Sequence, residues 1–125
     1  MNPDTQQKMK TRFAPNHGHK SALDQLLLHH PGVRPGSMFG CPAYYIDRRL
    51  FACVYGDCVG IKLPAAIATS LVAERRASRF QPYGKARMRE WVQLCRSSSV
   101  AYHDDAELLA VSMKFVKALA SGGRS

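Results

Sequence analysis

At 125 residues the chain is a single domain by length, and it can bury roughly two thirds of its unfolded surface without disulfide or metal staples. Hydrophobic residues make up 46% and charged residues 22%, an ordinary globular composition, and no apolar run approaches the ~20 residues that cross a bilayer. Eighteen Lys and Arg against nine Asp and Glu leave a net charge of +9, a balance that favours polyanions or acidic proteins as partners.

Residues 1–19 are polar, contain Pro3, Pro15 and Gly18, and show no periodic apolar face, so they read as a flexible basic tail. Lys8, Lys10 and Arg12, with Lys20 just beyond, would form a basic arm. The tail has no apolar h-region, and Asp4 argues against a transit peptide, so a cytoplasmic location is expected. A helix follows, with Ser21 as N-cap and Leu23, Leu26, Leu27 and His30 on one stripe, and Pro31-Gly32 stops it.

From Met38 the apolar period changes to two, with turns at Asp47-Arg48 and Gly56-Asp57. Two-residue turns place Tyr45 opposite Leu50, Val54 opposite Val59 and Ala52 opposite Ile61. One face then carries Ala43, Tyr45, Leu50, Ala52, Val54, Val59, Ile61 and Leu63, the expected core. The other carries Tyr44, Ile46, Phe51, Cys53, Tyr55, Cys58 and Lys62. In this register Cys53 and Cys58 are diagonal neighbours roughly 7–8 Å apart, too far for an unstrained disulfide.

Pro64 opens a second helix in which Ile67, Leu71 and Val72 share a side. "RFQPY", a turn at Gly84-Lys85 and the strand "MREWVQLC" come next. The last helix has Asp104 and Glu107 in a capping-box spacing, a stripe of Leu108, Val111, Phe115 and Leu119, and Gly122 at its end. The order α-β-β-β-α-β-β-α with short hairpins predicts an α+β domain over residues 20–122, an antiparallel sheet with packed helices.

Several of these residues resemble the N-terminal domain of the TfoX/Sxy competence-regulator family, and more distantly the YjbR/MmcQ proteins. Met38-Phe39-Gly40 leads into a hairpin turning at Asp47-Arg48, followed by Leu50-Phe51-Ala52. A later hairpin carries Phe80, Pro82, Met88 and Trp91. The similarity spans about residues 21–120. Arg48 stands where the family has Gly, which argues against a type I′ turn there. The resemblance implies a fold, a small α+β domain with an antiparallel sheet, and does not imply competence regulation. The chain is read as a non-enzymatic regulatory or adaptor module acting through protein contacts, with weakly specific DNA or RNA binding through the basic hairpin 75–96 as the alternative.

The chemistry-bearing residues form no catalytic pattern. Cys41, Cys53, Cys58 and Cys95 contain no Cys-x-x-Cys pair and match no zinc spacing, so they are expected to be four reduced, packed thiols. His17 and His19 lie in the tail, and the adjacent His29 and His30 diverge on a helix. Only His103 lies near a cysteine, beyond Cys95. No cofactor or metal is expected. Binding residues are a different matter. Arg75, Arg76, Arg79, Lys85, Arg87 and Arg89, followed by Arg96, alternate with Phe80, Tyr83 and Trp91, a composition suited to phosphates and stacked bases. Tyr44, Phe51, Tyr55 and Trp91 would line the outer sheet face. Left exposed, that patch would fit a protein partner or a homodimer.

Overall fold

In the computed structural model, which describes residues 17–38, 40–80 and 89–120, six strands form one antiparallel sheet in the order β1-β2-β3-β4-β6-β5. Helix α1 (His17–Leu27) leads into β1 (Val33–Met38), β2 (Cys41–Ile46), β3 (Arg49–Tyr55) and β4 (Cys58–Lys62). Helix α2 (Ala65–Ala73), β5 (Ser78–Arg79) and β6 (Trp91–Leu94) follow, then a 3-10 helix (Ser99–Asp105) and α3 (Ala106–Ala120). The fold is α+β, as the pattern predicts, with two additions.

One addition is β1. Arg34-Pro35-Gly36-Ser37 has no apolar alternation, and only Val33 of that strand is buried. The segment pairs with β2 alone, and an edge strand tolerates a proline that a central strand does not. The other is the start of α1, which reaches back to His17 and so includes residues assigned above to the tail. His19, on its first turn, is only 3% exposed. Residues 1–16, Phe39, Tyr83, Lys85, Arg87 and Gly122 lie outside the described residues.

The Asp47-Arg48 turn has φ of 50° and 69°, the pair of positive values that a type I′ turn requires. Arg48 therefore adopts the left-handed region without being glycine, which costs about 1–2 kcal/mol. Replacement Arg48→Gly is expected to raise the unfolding free energy by about 1 kcal/mol, read as a higher denaturant midpoint at constant slope. A midpoint at or below wild type would mean that the Arg48 side chain already offsets this backbone cost.

The pairings Tyr45↔Leu50, Ala52↔Ile61 and Val54↔Val59 occur as the turns predict. Between Tyr44 and Tyr45, however, the β2–β3 register shifts, because Tyr44 pairs with Ala52 and Phe51 is an extra residue. This β-bulge puts Phe51 and Ala52 on the same side of β3, so the two faces differ from strict alternation. Tyr44, Ile46 and Phe51 join Ala52, Val54, Val59, Ile61 and Leu63 in the main core. Ala43, Tyr45 and Leu50 turn to the opposite face with Cys53 and Tyr55.

All three described α-helices cover the main-core face. Leu23 and Leu27 of α1, Ala68 and Leu71 of α2, and Leu109, Met113 and Val116 of α3 enter one cluster with Tyr102. In α2 it is Ala68 rather than Ile67 that faces inward, and Ile67 is exposed. In α3 the centre of the buried stripe is Leu109, Ser112, Met113 and Val116, with Leu108, Val111 and Phe115 at its margin. The 3-10 helix takes the place of the Asp104-led cap, and the neighbouring Asp105 turns its carboxylate to Arg96. Side-chain hydrogen bonds pin α1 and α3 to the sheet. The Tyr44 hydroxyl donates to Asp24 Oδ1 at 2.6 Å, and Ser112 Oγ donates to the Phe51 carbonyl at 3.2 Å, capping a backbone group at the bulge. Burial, reinforced by the Asp24 carboxylate, raises the pKa of Tyr44 well above the ordinary phenol value.

Candidate nucleic-acid interface

The outer sheet face carries no helix among the described residues, yet it is not bare. Phe80, 1% exposed, packs against Gly60, where a Cβ would come within 3.0 Å of the ring's Cε2 and Cζ atoms. It meets Tyr55 edge-on at 5.4 Å and Trp91 at 5.7 Å between ring centroids. Trp91 is 9% exposed and Tyr55 half-buried. Of the four aromatic residues expected to line this face, two are there and largely filled in. Tyr44 and Phe51, at 1% and 0% exposure, lie on the helix face because of the bulge, a correction to the strict-alternation reading.

The basic residues are better exposed. Helix α2 ends in a turn whose N–H groups return to the helix: Arg75 donates to the Val72 carbonyl and Arg76 to that of Leu71. Arg75 takes φ 61° there, which turns both arginines out into solvent. Two residues on, β5 forms the sheet edge and presents Arg79. The Arg79 guanidinium spans from Thr69 Oγ1 of α2, at 3.4 Å, to the Arg89 carbonyl, at 3.5 Å. The Arg79 side chain therefore ties the middle of α2 and β5 to the approach to β6, with Arg89 on that approach and Arg75 and Arg76 on the turn between α2 and β5. Glu74 pairs with Arg76 at 3.5 Å, and Glu90 is engaged by Lys62 at 3.6 Å. Arg75, Arg79 and Arg89 have no ion pair among the described residues. Arg96 does not belong to this group. Its guanidinium grips Asp105 at 2.5 and 2.8 Å on the far side of β6, and that bond raises its pKa further.

The cysteines depart most from expectation. Cys58 and Cys95 form a disulfide, while Cys41 and Cys53 remain thiols, both buried. The register correctly kept Cys53 from Cys58 but left Cys95 unplaced, because it assigned β6 no partner. Pairing of Val59 with Leu94 sets Cys58 opposite Cys95. That strand pairing was the missing signal: Val92 and Leu94 alternate inward, so Cys95 follows on the outer side. Burial pushes the Cys53 thiol up to about 12 and raises that of Cys41.

His29 and His30 lie beyond the end of α1 and do not diverge as expected, since their ring centroids are 4.5 Å apart, and no group of three or more His, Cys, Asp or Glu among the described residues is placed to hold a metal. His19 bonds to the Asp57 carbonyl at 3.0 Å and packs edge-on against Tyr102, and His103 is exposed in the 3-10 helix. No helix among the described residues is long and apolar enough to cross a membrane. Comparison with family models, with characterised proteins and with solved structures finds no match.

Proposed function

We propose that the chain is a non-enzymatic regulatory module, of the TfoX N-terminal type and acting in the cytoplasm, that engages the phosphate backbone of nucleic acid through its basic edge. The observation that carries this reading is the Arg79 guanidinium bridging α2 to the approach to β6, with Arg89 on that approach and exposed Arg75 and Arg76 on the turn that precedes β5, and with carboxylate pairing among the described residues of this group at Arg76 alone. Phosphate contacts need exposed cations with few competing acids, and they give affinity without sequence readout. Among the described residues no helix projects from this edge in the manner of a groove reader, so binding is read as sequence-tolerant. The protein-contact reading loses Tyr44 and Phe51 to the core and much of Trp91 to Phe80.

Fluorescence anisotropy with a mixed-sequence DNA duplex, titrated with salt, tests the proposal. Arg75→Ala, Arg79→Ala and Arg89→Ala should each weaken binding and reduce the log–log salt slope by about 1. Arg48→Ala, on the β2–β3 turn, should leave both nearly unchanged. Equal slopes for wild type and all three edge variants would overturn the interface and reduce any binding to net charge.

A further inference from the structure

The two cysteine pairs share a sheet face but differ in access. Cys41 and Cys53 are 2% and 0% exposed, whereas Cys95 is exposed and Cys58 half-exposed. Cys58 and Cys95 sit directly across β4 and β6, with Cα atoms 4.2 Å apart. The strands do not depend on that bond to stay adjacent. Four residue pairs, from Val59↔Leu94 to Lys62↔Trp91, hold the ladder. Just past Cys95, the Arg96 N–H donates to the Tyr102 hydroxyl at 3.3 Å while its guanidinium holds Asp105, and Tyr102 itself donates to the Leu94 carbonyl at 3.0 Å. The end of β6 is thus fixed by hydrogen bonds, and both sulfurs remain neighbours when the bond is open.

We propose that Cys58–Cys95 is a reversible modification site, a disulfide–dithiol pair that exchanges with a small thiol of the glutathione class while the domain stays folded. A thiolate attacks Sγ of Cys95, the more accessible sulfur. The Cys58–Cys95 bond breaks, its electron pair leaves on Sγ of Cys58, and that thiolate takes a proton from solvent. Cys95 is left in a mixed disulfide with the small thiol. A second thiolate attacks the small-molecule sulfur of that adduct and releases Cys95 as a thiolate. Two small thiols are oxidised to one disulfide, and the protein disulfide is reduced to two thiols. Oxidised glutathione runs the sequence backwards. The buried pair takes no part, because a thiol reacts as its thiolate and burial disfavours that form. This site is independent of the basic edge.

The test uses the full chain, refolded in oxidised glutathione and then exposed to reduced glutathione. Timed samples are quenched with N-ethylmaleimide and read by peptide mass, with far-UV circular dichroism in parallel. Cys58 and Cys95 should become labelled at least tenfold faster than Cys41 and Cys53, with the dichroism unchanged. A glutathione adduct should appear on Cys95, and oxidised glutathione should restore the linked peptide. In the reduced Cys58→Ser variant, oxidised glutathione should load Cys95, and in Cys95→Ser it should load Cys58 at least tenfold more slowly. Labelling of all four cysteines together, absence of the 58–95 linked peptide, or an adduct chiefly on Cys58 would overturn the proposal. The wild-type labelling order decides the matter if a variant does not fold.

Discussion

Phe51→Ala is expected to destabilise the domain by about 3–5 kcal/mol. The ring is fully buried in the main core, at the bulge of β3, under α3. Truncation removes its apolar contacts and leaves a cavity. The site is poorly placed to collapse into that space, because the Phe51 carbonyl is held by Ser112 and the strand is paired on both sides. Urea unfolding with an unchanged slope measures the loss. A loss below about 1 kcal/mol would return the ring to the solvent face, where strict alternation puts it.

Arg96→Ala is expected to cost about 3 kcal/mol, near the lower end for breaking a buried ion pair, because the Arg96 side chain is itself 30% exposed. The asymmetry of the pair decides the size. The Asp105 side chain is 7% exposed, so losing the guanidinium strands a carboxylate with little access to water. Asp105→Asn should cost less, about 1–2 kcal/mol, since an amide oxygen can still accept from Arg96 and the released guanidinium can reach solvent. Equal losses in the two variants would mean that the interaction itself, rather than the stranded carboxylate, sets the energy.

How much of this is legible in the sequence depends on which contacts are local. The β3–β4 hairpin is legible in full, since Gly56-Asp57 fixes its register, and Val54 meets Val59 as the alternation requires. The β2–β3 hairpin is legible only near its turn. No Gly or Pro marks the bulge, as Leu50-Phe51-Ala52 reads like any buried strand, so Tyr44, Ile46 and Phe51 exchange faces with Ala43, Tyr45 and Leu50 without a local signal. Val33–Met38 hides as a strand because an edge needs no alternation. The disulfide is also long-range, joining residues 37 apart, and it becomes visible only once β6 is paired with β4. The basic edge was legible as composition. Its place at a sheet edge needed the β5–β6 pairing and the cap that turns Arg75 and Arg76 outward.

The strand order also governs what the chain exposes while it is being made. β1 to β4 are consecutive neighbours, so the meander is complete at Lys62. At that stage the far edge of β4 is unpaired, because its partner β6 begins only at Trp91, and α3, which covers the centre of the sheet, ends at Ala120. At about 5–20 residues per second, the 58 residues between Lys62 and Ala120 take roughly 3–12 s to synthesise. Until β6 is made that edge stays open, and until α3 is made the apolar face is covered only by what α1 and then α2 supply, the two features that recruit a neighbouring chain. Among the described elements the covering helix comes last, so vulnerability to aggregation is concentrated before α3 is made and docked on the sheet.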